Sequence, residues 1–300
     1  SAPDSAGSAP GAREARAGTG PIIIRRVQGS RMSQRVRTDI EGDIARVTLT
    51  RAKAHNGVDQ AMMDGVIAAA ESLADEKSVR AVILSGEGPS FCAGIDVKAF
   101  FGKGMSLDLA KLYARLYSPM RNKFQQFSLA WRDLPIPVIA AVHGNCFGAG
   151  IQLALGADFR IVRPDAQLSV MEAKWGLVPD MGGAVLLREL VSADIARLLT
   201  YTGRVVSGEE ARSLGLATQV ADDPVAAAET LAREIAARSP DAVAAGKLLL
   251  NEAWHDTESG ALAAERHRQR QLMGRANQRV SVARNTGKPD TPYKPRRITG

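Results

Sequence analysis

Two glycine-containing turns are candidate sites for binding an oxygen that carries negative charge. Residues 91–96 read Phe-Cys-Ala-Gly-Ile-Asp, and residues 143–150 read His-Gly-Asn-Cys-Phe-Gly-Ala-Gly. Each turn follows an apolar run that predicts a strand, and a strand–turn–helix arrangement leaves backbone N–H groups unpaired at the carboxyl end of the strand. Two such donors from separate turns can bind one oxyanion. The alternative is that the glycines only allow tight turns.

Two acidic residues, Glu172 and Asp180, stand in an otherwise apolar stretch at 170–183. Gly176 and Pro179 disfavour one continuous helix through this stretch, so both carboxyls could face one pocket from a loop. Apolar surroundings raise the pKa of a carboxylate toward neutrality, which suits a general base. A solvated loop with two surface acids is the alternative interpretation.

Several other chemistries lack their central residues. No Lys-Ser/Thr pair follows the second turn, its spacing is not G-x-G-x-x-G, and the chain has no G-x-S-x-G motif. The two cysteines, Cys92 and Cys146, provide neither a disulfide framework nor zinc-ligand spacing. The sequence therefore disfavours an ATPase, a dinucleotide-binding protein, a serine hydrolase and a metal site.

The elements that must position these residues alternate between strands and helices. Alternating or continuous apolar runs predict strands at 44–49, 79–85, 136–142 and 157–162, and helices are expected from an Asp59 cap to about Ala74, within 107–131, and from near Gly150. This alternation predicts a largely parallel α/β architecture. Beyond Asp223 only helical periodicity remains, at 224–238, 241–255 and 260–273. We expect a disordered extension at 1–31, an α/β core at 32–222 and a helical C-terminal region at 223–300.

Basic charge is concentrated at the two ends of the chain. The net charge of +7 divides into +4 for residues 1–35, −5 for 36–263 and +8 for 264–300. Basic ends can meet nucleic acid, a membrane surface, a phosphate-bearing ligand or an acidic neighbouring subunit. Aromatic residues make up only 5% of the chain and do not interleave with the arginines, which disfavours nucleic acid. No apolar run has the length of a membrane span, so we expect a cytoplasmic protein without membrane partners.

Taken together, these segments resemble the crotonase superfamily, the enoyl-CoA hydratase/isomerase family. The resemblance runs from about residue 43 to 278 and rests on residues 51–56, 91–96, 143–153 and 172–183, on Thr202-Gly203-Arg204, and on Gly208-Glu209-Glu210-Ala211 with Gly215-Leu216. It implies a crotonase-like ββα spiral of α/β class, the ClpP/crotonase fold, with a C-terminal helical trimerisation region. A homotrimer or hexamer is therefore expected.

The resemblance implies an acyl-CoA thioester as substrate, with coenzyme A as part of the substrate and no separate cofactor. By position, the N–H groups of Ile95 and Ala149 would form an oxyanion hole that stabilises a thioester enolate. The basic C-terminal segment could meet the CoA phosphates. The positions that match substrate-binding residues are Lys53, Ala54, Ala93, Gly94, Asp96, Val97, Gly148 and Gln152.

The residues at the catalytic positions determine which reaction is expected. Related hydratases use two glutamates to hold the water that adds across C2=C3; Glu172 matches the second, but Gln152 stands at the first. An amide can hydrogen-bond water but cannot take its proton. Asp180 falls where dienoyl-CoA isomerases place an aspartate, so the resemblance favours movement of a double bond, with Glu172 and Asp180 as catalytic residues. Hydration despite Gln152, and a non-catalytic acyl-CoA- or RNA-binding role, are the alternatives.

Overall fold

The computed structural model describes residues 24–26, 35–101, 114–117 and 119–300. Its strands are β1 (Ile24–Arg26), β2 (Val36–Glu41), β3 (Ile44–Leu49), β4 (Ala81–Gly86), β5 (Val138–Val142), β6 (Asn145–Phe147), β7 (Phe159–Val162), β8 (Gln167–Ser169), β9 (Val206–Ser207) and β10 (Gln219–Val220). Within these ranges, one sheet has the order β1-β2-β3-β4-β5-β7-β10 and a second has the order β6-β8-β9.

The large sheet is mostly parallel, as predicted. The pairs β3–β4, β4–β5, β5–β7 and β7–β10 are parallel, whereas β1–β2 and β2–β3 are antiparallel. The four predicted strands are found within about two residues of their expected bounds, and β3 matches its bounds at both ends. Parallel order brings the carboxyl ends of β4 and β5, and therefore the turns that follow them, to one edge.

Ile24–Arg26 form a strand within the stretch 1–31, where the sequence predicts a disordered extension. These residues pair antiparallel with β2, with Ile24 opposite Glu41 and Arg26 opposite Asp39. The edge of β2 presents unpaired backbone groups that a short extended segment can satisfy. The other residues of that predicted extension lie outside the described residues.

Most predicted helices are found close to their expected positions. The helices in the described residues include α1 (Gln60–Ala74), α2 (Val97–Phe101), α3 (Lys123–Asp133), α4 (Ala149–Leu155), α5 (Gly183–Leu190), α6 (Ala193–Thr202), α7 (Gly208–Ser213), α8 (Pro224–Ala236), α9 (Pro240–Ala253), α10 (Glu258–Leu272) and α11 (Ala276–Asn285). Of these, α2, α5, α6, α7 and α11 were not predicted. The Asp59 carboxylate accepts from the Met62 N–H at 2.8 Å and caps α1, as predicted. The described part of the expected helix over 107–131 is a short 3₁₀ turn, Arg115–Tyr117, and α3; residues 107–113 and 118 lie outside the described residues.

The sheet is buried on both faces. Alternate side chains of the central strands point to opposite sides. The main core lies on one side and includes Val47, Leu84 and Val142, and on the other Ile44, Ile83 and Ile139 pack against Ala228 and Ala232 of α8. Helix α8 therefore belongs to the α/β body, although the expected domain boundary assigned it to the C-terminal region. Amphipathic periodicity predicts that such a helix buries one face but not which element covers it.

No helix in the described ranges combines the length and apolarity needed to cross a membrane.

Candidate active site

The two glycine-containing turns are joined by backbone hydrogen bonds. The Cys92 N–H donates to the Asn145 carbonyl and the Phe147 N–H donates to the Cys92 carbonyl, both at 3.0 Å. Helix α4 approaches this ladder so closely that a Cβ on Gly150 would lie 2.1 Å from the Cys92 oxygen. Only glycine fits at that position. The absence of a side chain at Gly150, rather than its backbone flexibility, lets the start of α4 pack against the first turn.

The N–H groups of Ile95 and Ala149 are available to a ligand. On either side of Ile95, the Gly94 carbonyl accepts from the Val58 N–H at 2.8 Å, and the Asp96 N–H donates to the Val58 carbonyl at 2.9 Å. Because these bonds face Val58, the intervening Ile95 N–H points away from it. Ala149 is the first residue of α4, whose opening N–H groups have no intrahelical acceptor. In the described ranges neither N–H has a hydrogen-bond partner.

The two turns lie side by side. A Cβ on Gly94 would be 3.8 Å from the Ala149 nitrogen. Ala149 is not among the described non-glycine residues with positive φ, so its side chain imposes no backbone strain. The predicted oxyanion pair is therefore brought to one place, at the carboxyl ends of β4 and β5.

Glu172 supplies a buried carboxylate next to the second turn. It opens a 3₁₀ helix, Glu172–Trp175, and is only 8% exposed. Its Oε1 would lie 3.5 Å from a Cβ on Gly148. Its Oε2 is buried and has no partner among the described residues. Burial raises the pKa of the Glu172 carboxyl, and the nearby charge of Asp180 adds to that rise.

Asp180 lies at the rim of the site. The residue is exposed, yet partial desolvation of its carboxyl raises its pKa. Three apolar side chains in the preceding loop, Trp175, Leu177 and Val178, are more than half exposed. Glu172 is therefore a buried acid with a raised pKa, while Asp180 has one side toward solvent.

Gln152 connects the two acids. Its Nε2 donates to Glu172 Oε1 at 2.6 Å, and its Oε1 accepts from the N–H groups of Met181 and Gly183 at 2.9 and 3.0 Å. The residue was expected to contact substrate, but these bonds are made to groups of the protein. Sequence inspection misses the two backbone donors, because no side-chain type marks them.

The substrate-binding positions expected at 53–54 and 93–97 meet at the first turn. Lys53 and Ala54 form a short 3₁₀ helix, and the next residue, His55, accepts from the Ala93 N–H at 2.9 Å. Lys53 is exposed there. Val97 is also exposed and begins α2. The bond between His55 and Ala93 therefore holds the segments 53–54 and 93–97 next to each other.

The Asp96 side chain is held by the protein. Its carboxylate pairs with Arg51 at 2.7 Å and accepts from the Ala99 N–H at 3.0 Å. The bond from Ala99 and the bond and charge of Arg51 lower the pKa of Asp96. Arg51 and Asn56, for which the sequence predicted no role, organise this turn: buried Asn56 donates to the Glu87 and Ser90 carbonyls. Both belong to the 51–56 segment that carries the resemblance.

The described residues contain no group of three or more His, Cys, Asp or Glu side chains that could hold a metal ion. Cys92 and Cys146 are both buried. Burial raises the pKa of the Cys92 thiol to about 12, and that of Cys146 also rises. The buried Glu172 carboxylate, beside the Ile95 and Ala149 N–H groups, can perform proton transfer next to two amide donors.

Comparison with known proteins identifies the class to which this fold and site belong. The profile of the enoyl-CoA hydratase/isomerase family matches residues 39–295. The chain belongs to the enoyl-CoA hydratase/isomerase family, and the crotonase fold expected from the sequence is confirmed.

Relatives with different reactions are similar to this chain. Mouse mitochondrial methylglutaconyl-CoA hydratase is 30% identical over 211 residues, which cover 68% of this chain and 64% of that protein. The chain thus spans less than two thirds of the length of that relative. The 1,2-epoxyphenylacetyl-CoA isomerase of Escherichia coli K12 is 31% identical over 249 residues, covering 82% of this chain and 92% of the isomerase.

Solved structures give the same family. A Bacillus anthracis enoyl-CoA hydratase superposes with a TM-score of 0.79 at 27% identity, covering 87% of this chain and 99% of that one. A Thermobifida fusca protein assigned to the enoyl-CoA hydratases was solved in complex with CoA. It superposes with a TM-score of 0.72 at 32% identity, and the match covers 84% of this chain and 95% of the Thermobifida fusca chain.

Proposed function

We propose that this protein moves a carbon–carbon double bond in an enoyl- or dienoyl-CoA thioester. The observation that carries the proposal is the position of Glu172 Oε2, a buried carboxylate oxygen that has no hydrogen-bond partner among the described residues. It lies beside a turn whose Ala149 N–H is likewise unpaired within those residues. In this proposal the Ile95 and Ala149 amides bind the thioester oxygen, and Glu172 removes a proton from C2. The resulting enolate is stabilised by the two donors.

The second carboxylate determines where the proton returns. For a 3-enoyl-CoA, Glu172 itself can return the proton to C4, which gives the 2-enoyl product. For a 3,5-dienoyl-CoA, a proton delivered by Asp180 to C6 gives the 2,4-dienoyl product. The raised pKa values of both carboxyls support this exchange, because each group can hold and release a proton nearer neutrality.

Hydration is the alternative, and relatives named as hydratases make it worth testing. A pair of carboxylates would be needed to hold and deprotonate the water. Here the amide of Gln152 stands at the position of the first glutamate and donates to Glu172. An amide offers no basic site for the water proton, so we expect hydration to be the slower reaction.

The test is a panel of three substrates: a 3,5-dienoyl-CoA, a 3-enoyl-CoA and crotonyl-CoA, assayed with EDTA present because the proposal requires no cofactor beyond the CoA of the substrate. We expect double-bond isomerisation to be fastest. Replacing Glu172 by Gln keeps the side-chain size and should lower that rate by about 10²–10⁴-fold, the usual loss for one acid–base group. Calorimetric CoA-ester binding by the same variant serves as the control and should persist.

Two results would contradict the proposal. One is faster turnover of crotonyl-CoA by the unmodified protein, with no gain in hydration from Gln152→Glu. The other is tight binding of every ester without any turnover, which would indicate a non-catalytic acyl-CoA-binding protein.

A further inference from the structure

Gln152 is a fully buried amide whose known bonds all go to the protein. The residue is 1% exposed and lies in α4. One end of its amide contacts a carboxylate and the other contacts two backbone N–H groups. A residue in contact with substrate would present at least one of these atoms to the pocket. The position therefore calls for a role other than substrate binding.

The bonding pattern permits one orientation of the amide. The carbonyl oxygen accepts from the Met181 and Gly183 N–H groups, and the amide nitrogen donates to Glu172 Oε1. Rotation by half a turn would set N–H against N–H at one end and oxygen against a carboxylate oxygen at the other. The network thus fixes which end of Gln152 faces the acid.

We propose that Gln152 is a positioning residue for both carboxylates: it occupies Oε1 of Glu172, which leaves Oε2 as the oxygen that takes the substrate proton, and it anchors the backbone that carries Asp180. This inference rests on the proposed function, because that function makes Oε2 the oxygen that takes the substrate proton. The arrangement itself follows from the hydrogen bonds. Of the two oxygens of Glu172, only Oε2 is without a partner in the described residues.

The link to Asp180 runs through its own peptide group. The Met181 N–H belongs to the peptide that joins Asp180 to Met181, and Gly183 is the first residue of α5. A Cβ on Gly183 would lie 2.6 Å from Gln152 Oε1, so this approach requires glycine. Gln152 therefore holds the Asp180 loop between α4 and α5 at a fixed distance from Glu172.

Two variants separate the two halves of this role. Gln152→Glu keeps an oxygen acceptor for Met181 and Gly183 but sets a second carboxylate against Glu172. Gln152→Met has a similar length and removes both sets of bonds. The Gln152 bond lowers the pKa of Glu172, so its loss in either variant should raise that pKa, and a like charge should raise it further.

The experiment measures the ¹³C carboxyl titration of Glu172 in ¹³C-glutamate-labelled protein, assigned by its absence in Glu172→Gln, together with kcat against pH. We expect an upward shift of about one pH unit in Gln152→Met, as for a lost hydrogen bond to a charged group, and a larger shift in Gln152→Glu. At the pH plateau, kcat should fall more in Gln152→Met than in Gln152→Glu, since only Gln152→Met releases the Asp180 loop.

Asn277 offers a matched control. It is another buried amide that donates to a carboxylate, Asp241, at 2.9 Å, but in the C-terminal region. Asn277→Leu should leave the Glu172 titration unchanged. An unchanged titration in both Gln152 variants, or an equal shift in Asn277→Leu, would overturn the inference. A shifted titration in a protein without isomerase activity would instead leave Gln152 as the positioning residue and reject the proposed reaction.

Discussion

At the scale of single residues, the charge of Asp180 adds to the effect of burial on the pKa of Glu172. The Asp180 carboxylate raises the pKa of Glu172, because a second negative charge nearby disfavours ionisation. A base is active only when ionised, so kcat/KM should fall as the pH drops through the pKa of Glu172. That fall should lie at higher pH than for an ordinary glutamate, whose pKa is 4.5.

Removing the charge of Asp180 should move the acidic limb of the profile of kcat/KM against pH to lower pH. We expect Asp180→Asn to give this shift on a 3-enoyl-CoA, a substrate that needs only Glu172, measured as kcat/KM against pH. Asp165, an exposed acid paired with Arg163, supplies the control, and Asp165→Asn should leave the limb in place. A limb that moves upward in Asp180→Asn would show that the two acids do not repel each other.

The types of the residues to which we assign the proposed chemistry are visible in the sequence, but their hydrogen-bond partners are not. Glu172 and Asp180 stand out as acids in an apolar stretch, and glycines mark the turns that present Ile95 and Ala149. The role of Gln152 could not be predicted, because its carbonyl is bound by main-chain N–H groups that only the fold brings near. Residue identity carries no trace of a backbone donor.

At the scale of helices and strands, a buried lysine ties α9 to the sheet. The Lys247 ammonium donates to the Trp131 and Ile136 carbonyls at 2.9 and 3.0 Å and to Asp158 at 2.7 Å. These partners lie in α3, before β5 and before β7. All three ammonium protons are therefore used. Burial lowers the pKa of Lys247, and the charge and hydrogen bond of Asp158 act against that fall.

Breaking this contact should destabilise the protein strongly. Lys247→Met removes the cationic partner of Asp158 and the donor to the Trp131 and Ile136 carbonyls. Removal of one partner of a buried pair costs about 3–5 kcal/mol. Equilibrium unfolding in urea measures the loss. Arg163→Met, which breaks an ion pair at the surface, should change the free energy of unfolding far less, because exposed ion pairs contribute little. Equal losses in the two variants would show that Lys247 makes no special contribution.

Element positions follow from local patterning, whereas their packing partners do not. Alternation gave β3 its bounds, and the Asp59 cap gave α1 its start, since both signals lie within a few residues of the element. The pairing of Ile24–Arg26 with β2 and the packing of α8 on the sheet depend on contacts between distant segments. Periodicity specifies a buried face without specifying its cover.

At the scale of the whole molecule, the last residues of the chain close the C-terminal helices onto the body. Ile298 packs against Ala244, Ala245 and Leu248 of α9. Buried Asp241 accepts from the Arg297 and Ile298 N–H groups. The Arg296 N–H donates to the Lys77 carbonyl at 2.9 Å, between α1 and β4. One short segment therefore contacts both the helical region and the α/β body.

This closure predicts that a single buried side chain near the end of the chain protects the backbone amides of α9 from hydrogen–deuterium exchange. Ile298→Ala removes a buried aliphatic group and should cost about 2–5 kcal/mol locally, which would appear as faster hydrogen–deuterium exchange in α9 and little change in β4 and β5. The neighbouring Thr299 is exposed, so Thr299→Ala changes the same segment without removing a buried contact and should leave exchange unaltered. If exchange rises equally in the central strands of Ile298→Ala, the helices and the sheet open as one unit, and the segment stabilises the entire fold rather than the attachment of α9.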